Sequence, residues 1–207
     1  MLKVLNAVVG NYSLLTKFSM EGKLIIFSAP SGSGKTTIVR ELLKHYPQFE
    51  FSISATSRAP RGVEQNGIDY YFLTQEEFAE KVATDSFVEW EEVYAGTCYG
   101  TLKSEMERIW SKGNVIIFDV DVMGGINLKR IFGKKACSIF VVAPSIEELH
   151  KRLVGRGTDS PEVIAKRIAK AEFEISKAPE FDYKVVNDVL ETAVADTRRI
   201  IDAFLAE

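Results

Sequence analysis

The chain has 207 residues, 46% hydrophobic and 27% charged, enough to bury the core of one globular domain with or without small mobile inserts. Its formal net charge of −3 gives no global basic field for nucleic acid, so positive charge for any anionic ligand must be local. No apolar run approaches the ~20 residues that span a bilayer, and Cys98 and Cys137 stand outside any CxxC or Cys/His cluster, so neither a disulfide framework nor a zinc site is expected.

Residues 1–22 precede every motif described below and read as an N-terminal extension. They are mildly apolar. A single Lys before the short hydrophobic stretch and the lack of a small-residue cleavage site argue against a secretory signal. Met20 offers a second start, and the sequence does not decide between the two.

Lys23-Leu-Ile-Ile-Phe27 is too short for a helix and reads as a buried strand. Ser28 to Gly34 is rich in Gly, Ser and Pro and reads as a loop. From Thr36 to His45 the apolar residues Ile38, Leu42 and Leu43 fall at helical spacing, and Pro47 closes that helix. Residues 52–101 break the rhythm: rich in Tyr, Phe, Gly and charge, they predict short strands with one helix near Gln75–Val82, an insert on the main fold. Further buried strands are expected at Val115–Phe118, Ser138–Val142 and Tyr183–Val186, with helices near 101–112, 145–155, 161–177 and 189–205. Strands alternating with helices predict an α/β fold, a parallel sheet covered by helices on both faces.

The segment Ala29-Pro-Ser-Gly-Ser-Gly-Lys-Thr36 fits the Walker A pattern except that Ala29 replaces the first Gly. Such a turn aims successive backbone N–H groups inward as an anion nest, and the following helix points its N-terminus at the same phosphates. Ala29, Pro30, Ser31, Gly32, Ser33, Gly34, Lys35, Thr36 and Thr37 are therefore candidate phosphate-binding residues. Lys35 can reach the β- and γ-phosphates, and the Thr36 hydroxyl can bind Mg²⁺. Val115-Ile-Ile-Phe-Asp119, an apolar strand ending in Asp, has the Walker B arrangement and offers Asp119 as a second candidate for the Mg²⁺ shell.

Ser52-Ile-Ser-Ala-Thr-Ser-Arg58-Ala-Pro-Arg61-Gly62, followed by Asn66-Gly-Ile-Asp-Tyr70-Tyr-Phe72, strongly resembles the GMP-binding segment of guanylate kinases. Phe87-Val-Glu89-Trp90, Tyr99-Gly100-Thr101 and Asp119-Val-Asp121-Val-Met-Gly124 match the motifs that follow, and Arg152-Leu-Val-Gly-Arg156 with Arg167 resembles the family's lid. The resemblance covers residues 23–207. It implies a P-loop kinase core (23–51, 102–150 and 179–207), a small mixed α+β GMP-binding insert (52–101) and a helical lid (151–178). The implied reaction is transfer of the γ-phosphoryl group of ATP to GMP, giving ADP and GDP, with Mg²⁺, in cytoplasmic purine metabolism. It implies ATP, GMP and also dGMP as small-molecule substrates, with no nucleic-acid or membrane partner, and leaves a homo-oligomer open.

On the same resemblance Ser54, Arg58, Arg61, Tyr70, Glu89, Tyr99, Thr101 and one of the two strand-end aspartates surround GMP, and Lys35, Arg152, Arg156 and Arg167 act on the transferred phosphoryl group. The chemistry agrees. A phosphate dianion suits two Arg forks and two Tyr hydroxyls, and guanine presents two adjacent donors that one carboxylate, Glu89, can accept. The expected division puts Asp119 with the metal and Asp121 with guanine; the reverse stays open. Tyr94-Ala-Gly-Thr-Cys-Tyr99 departs from the family's Gly-Asn-Tyr-Tyr and is one residue longer. Two other readings remain: a non-catalytic guanylate-kinase-like module that binds phosphopeptides, and a kinase of the same fold for another small phosphate acceptor.

Overall fold

Every residue of the strand Leu24–Ser28 is buried, and alternate side chains enter different cores, Ile25 and Phe27 on one side, Leu24 and Ile26 on the other. This two-faced burial explains why the run is continuously apolar. The structure is a computed structural model and describes residues 22–94, 96–155, 157 and 159–207; the expectations for the extension before Gly22, and for Arg156, lie outside those residues. In chain order the elements are β1 (Leu24–Ser28), α1 (Lys35–Leu43), β2 (Phe49–Phe51), β3 (Ala55–Thr56), β4 (Tyr71–Phe72), α2 (Gln75–Ala83), β5 (Phe87–Tyr94), β6 (Thr97–Leu102), α3 (Lys103–Trp110), β7 (Val115–Asp119), α4 (Val122–Phe132), β8 (Ala136–Val142), α5 (Ile146–Gly155), α6 (Pro161–Ser176), β9 (Tyr183–Val186) and α7 (Leu190–Ala206).

The main sheet has the order β2-β7-β1-β8-β9, and every pairing in it is parallel. Ile38, Val39 and Leu42 of α1, with Ala193, Ile201 and Phe204 of α7, pack on the face that carries Ile25, Phe27, Ile117, Ile139 and Val141. Met106 and Ile109 of α3, with Leu128 and Phe132 of α4, cover the other face against Leu24, Ile26, Ile116 and Phe118. Each such side chain contributes roughly 1.5–3 kcal/mol on leaving water, so the two layers hold the sheet rigid. The carboxyl ends of its strands, where ligands bind in open α/β sheets, all lie at one edge. No helix among the described residues is long and apolar enough to cross a membrane.

The insert forms a second sheet, β4-β3-β6-β5, with its own small core of Ala55, Phe78, Phe87 and Leu102. Its helix α2 starts at a capping box, Thr74 accepting from the Glu77 N–H while the Glu77 carboxylate accepts from the Thr74 N–H. In the departing segment 94–99, Tyr94 is the last residue of β5 and pairs with Thr97, the first of β6, and the register shifts between Glu92 and Tyr94.

One sequence expectation needs correction, and two elements carry no clear signal in the sequence. Thr101 and Leu102 stay in β6, so α3 begins at Lys103 rather than near 101. The helix α4 was not expected, because Gly124 and Gly125 dilute its pattern; Asp121 starts it by accepting from the Gly124 N–H (2.8 Å). The three-residue β2 was too short to stand out, yet it forms the edge of the main sheet beside β7.

Candidate active site

The phosphate loop leaves β1 and enters α1. Gly32 and Gly34 have φ of +97° and +87°, values that suit glycine, and a Cβ at Gly34 would stand 2.1 Å from the Asn187 Nδ2. That same amide donates to the Ser33 carbonyl at 2.8 Å, so Asn187, just past β9, pins the loop. Gly34 begins α1 without a side-chain cap, and α1 has no acid in its first turn, which leaves its positive end open to an anion. Ala29 is half-buried and Pro30 and Ser33 are buried, while Ser31, Thr36 and Thr37 are exposed. Lys35 pairs with Asp119 at the end of β7 and donates to the Val120 carbonyl at 3.3 Å. A cleft beside the loop is lined by Gly32, Gly34, Thr37, Arg152, Asn187 and Asp188.

The helices α5 and α6 pack through Leu149, Leu153, Ile164 and Ala171. Arg152 donates to Glu148 at 3.0 Å on the cleft wall. Arg167 reaches over the loop, donating to the Ser31 hydroxyl at 2.9 Å and to Asp159 at 3.3 Å. Two of the three expected lid arginines therefore lie beside the phosphate loop.

In the insert, Arg58 is the centre of a cluster. Its Nε donates to the Tyr99 hydroxyl at 3.0 Å, its two Nη groups grip Glu64 at 2.7 and 2.8 Å, and its guanidinium lies 4.9 Å over the Tyr70 ring. The Arg58 fork and the Arg61 N–H hold the Glu64 carboxyl at about 2. Burial, with Tyr99 close by, pushes the Tyr70 hydroxyl up. Arg61 itself is exposed and joins through its backbone, its N–H donating to Glu64 at 2.7 Å. Ser54 also joins through its backbone, its carbonyl accepting the Tyr71 N–H at 2.9 Å.

Glu89 stands opposite Thr101 in the β5–β6 ladder and accepts the buried Thr101 hydroxyl at 2.8 Å. The residue keeps some solvent contact, but protein surrounds its carboxylate. Desolvation pushes that group up to about 7 against the Thr101 bond, and the charges of Asp121 and Glu91 add to the rise. Asp121 thus lies on the Glu89 side and Asp119 on the Lys35 side.

Two residues of this region escaped the sequence reading. Glu64 carries a signal in hindsight, an acid three residues after Arg61 in a turn that must also host Arg58. Asn187 follows the end of a parallel strand, the position at which open sheets place ligand contacts.

A phosphate loop after the first strand of a parallel sheet, facing an inserted sheet with an arginine–tyrosine cluster and a desolvated carboxylate, defines a P-loop kinase of a small phosphorylated acceptor. The family model described as guanylate kinase matches residues 21–204. The guanylate kinase of Bacteroides thetaiotaomicron is 57% identical over 186 residues, covering 90% of this chain and 91% of that one. The guanylate kinase of Porphyromonas gingivalis is 54% identical, covering 89% and 99%. Among solved structures, the crystal structure of guanylate kinase from Anaplasma phagocytophilum matches with a TM-score of 0.69 at 30% identity, covering 88% of this chain and 85% of that chain. The chain belongs to the guanylate kinase family. These relatives support the catalytic reading of the sequence and not the phosphopeptide-binding alternative.

Proposed function

We propose that this chain transfers the γ-phosphoryl group of ATP to GMP, with the phosphate loop holding ATP and the insert holding GMP. The observation that carries the reading is the desolvated Glu89 carboxylate, held by Thr101 beside Asp121 and free to accept the two adjacent donors of guanine. Adenine presents an acceptor at the first of those positions and no amino group at the second.

No covalent intermediate on the protein is needed, because phosphoryl transfer is chiefly alignment and charge neutralisation. Arg58, Arg61, Tyr70, Tyr99 and Ser54 hold the GMP phosphate, and one of its oxygens attacks the γ-phosphorus in line. The loop N–H groups of residues 29–37 cradle the ATP phosphates. Lys35, Arg152, Arg156 and Arg167 stabilise charge on the moving group. The side of the cleft formed by Asn187 and Asp188 takes the ATP base end. Closure of the lid and insert excludes water that would otherwise hydrolyse ATP.

The Thr36 hydroxyl and the Asp119 carboxylate are hard oxygen donors beside the loop, a set that suits Mg²⁺. They would hold the ion, which supplies charge neutralisation at the β- and γ-phosphate oxygens. Asp121 reads guanine together with Glu89. dGMP is proposed as a second acceptor, since Glu89 and Asp121 would read the base and not the sugar. The proposed setting is the cytoplasm, in purine nucleotide metabolism and recycling of GMP.

A coupled assay of the purified chain with ATP and Mg²⁺ against each nucleoside monophosphate tests this. GMP and dGMP should be phosphorylated and AMP, CMP and UMP should not. Absence of GDP sinks the reading, and activity on a different acceptor favours the other-substrate kinase.

A further inference from the structure

The chain passes from the main fold into the insert through residues 52–54 and returns where β6 ends at Leu102 and α3 begins at Lys103. The first crossing is attached to the main sheet by the Ser52 N–H, which donates to the Ile117 carbonyl at 3.0 Å. One buried carboxylate sits between the two crossings. Glu105, in the first turn of α3, is 2% exposed. Its Oε1 accepts the Ile53 N–H at 2.9 Å, and its Oε2 accepts the Tyr71 hydroxyl at 2.9 Å. Arg108, one turn on, donates to both oxygens, from Nε at 2.9 Å and Nη2 at 2.8 Å. Arg108 is itself held by Glu50 on β2, which also binds Lys112 and Asn114. Burial pushes the Glu105 carboxyl up, but the Arg108 fork and the bonds from Ile53 and Tyr71 outweigh it and keep the group below the usual carboxylate range.

The two donors from outside α3 are each one residue away from a candidate GMP contact. Ile53 precedes Ser54, and Tyr71 follows Tyr70. Ser54 and Tyr71 are further joined by a backbone bond of 2.9 Å. Tyr70 carries the Arg58 guanidinium on its ring and meets Tyr99 edge-on at 5.9 Å. A continuous set of contacts thus runs from the main sheet through Glu50, Arg108 and Glu105 to the phosphate cluster of the insert. Buried ion pairs add little net stability compared with apolar packing, but they impose geometry, since each donor must lie where its acceptor is.

We propose that Glu105 is a positioning residue for the acceptor site: it clasps both sides of the crossing into the insert and sets where Ser54, Tyr70 and Arg58 stand relative to the phosphate loop. The proposal rests on the reading of the insert as the GMP site. The loop itself is held by Asn187 and by β1, with no contact from Glu105, so the clasp acts on GMP and leaves ATP binding alone.

The test is steady-state kinetics of the full chain, with GMP and ATP each varied, for the wild type, Glu105→Gln, Tyr71→Phe and the double variant. Glu105→Gln keeps the shape but sets an amide donor against the donors of Tyr71 and Arg108. It should raise KM for GMP about tenfold, the scale of one charge-assisted hydrogen bond, while KM for ATP stays within about twofold. Tyr71→Phe should shift GMP alone in the same direction by less, and the double variant should be no worse than Glu105→Gln, because both remove the same link. A role limited to stability predicts a lower Tm with KM for GMP unchanged, or both KM values rising together; either result overturns the proposal. If Glu105→Gln does not fold, Tyr71→Phe decides by the same split. A wild-type chain inactive on GMP would sink the functional reading and this proposal with it, whereas an active wild type whose variants show no split sinks this proposal alone.

Discussion

The Lys35 ammonium is paired with the Asp119 carboxylate across the end of the sheet, linking the phosphate loop to the neighbouring strand β7. The pair holds Lys35 at the mouth of the loop, and both side chains are partly open to water, 16% and 31% exposed. Removing one of them therefore leaves no uncompensated charge in the core.

Lys35→Ala should fold normally and keep its Tm within a few degrees, because an exposed pair is worth at most about 1 kcal/mol. Its kcat should fall about 10²-fold or more, since one positioned donor to the transferred phosphoryl group is lost. Thermal melts and coupled-assay kinetics on one preparation check both. A normal kcat would show that Lys35 does not touch that group.

Arg58 serves three partners at once, Glu64 by a two-pronged grip, Tyr99 through Nε, and the Tyr70 ring by its flat face. An ammonium cannot reproduce that geometry. Arg58→Lys should raise KM for GMP about tenfold or more with KM for ATP nearly unchanged. Equal shifts in both would place Arg58 outside the acceptor site.

The sequence showed the main fold well where one signal dominated. β1, β7 and β8 are short apolar runs because they are buried on both faces, and that makes a strand hard to mistake; β9, at the edge of the sheet, buries only Val185. The phosphate loop was legible because its chemistry needs glycine at fixed spacing. What stayed hidden was of two kinds. The helix α4 carries two glycines at Gly124 and Gly125, where a Cβ on Gly125 would stand 2.4 Å from the Ser28 hydroxyl; close packing overrode helix propensity there. Glu105 and Asn187 draw their importance from partners distant in sequence, Ile53 and Tyr71 for Glu105 and, 154 residues away, Ser33 for Asn187, and a lone Glu or Asn carries no mark of that; the partners of Glu64 are local, Arg58 and Arg61. The guanine side was legible only through the resemblance, since nothing in the spacing of Glu89 and Asp121 shows that the fold brings them together.

The raised Glu89 carboxyl predicts how GMP binding responds to pH. Guanine's donors need the carboxylate, whereas the group titrates at about 7. Below that value GMP must displace a proton, so KM for GMP should rise as pH falls, approaching tenfold per unit between about pH 7 and pH 5. The phosphate of GMP titrates near pH 6 as well, so the decisive measurement is calorimetry at about pH 7 in two buffers of different ionisation heat. The wild type should release a fraction of a proton on binding GMP. No buffer dependence would mean that Glu89 does not meet the base.

The sharpest expectation comes from Glu89→Gln, because activity and stability should move in opposite directions. Gln keeps one oxygen to accept the Thr101 hydroxyl, now at 2.8 Å, so the β5–β6 ladder is preserved. The other oxygen becomes an amide donor facing a guanine N–H. Losing a charged hydrogen bond, about 1.5–3 kcal/mol, and opposing two donors should reduce kcat/KM for GMP by roughly 10² or more, with KM for ATP hardly changed. For stability, the folded carboxyl titrates at about 7 against an ordinary 4.5. A group raised in this way favours the fold fully below its unfolded value, and that contribution is lost as pH rises through about 7. The loss amounts to at most about 3 kcal/mol. Gln carries no charge, so the variant should melt higher than the wild type at about pH 8 and converge with it near pH 4. If Glu89 instead only anchors the hairpin beside Trp90, the variant will melt lower at every pH and retain the wild-type preference for GMP over AMP.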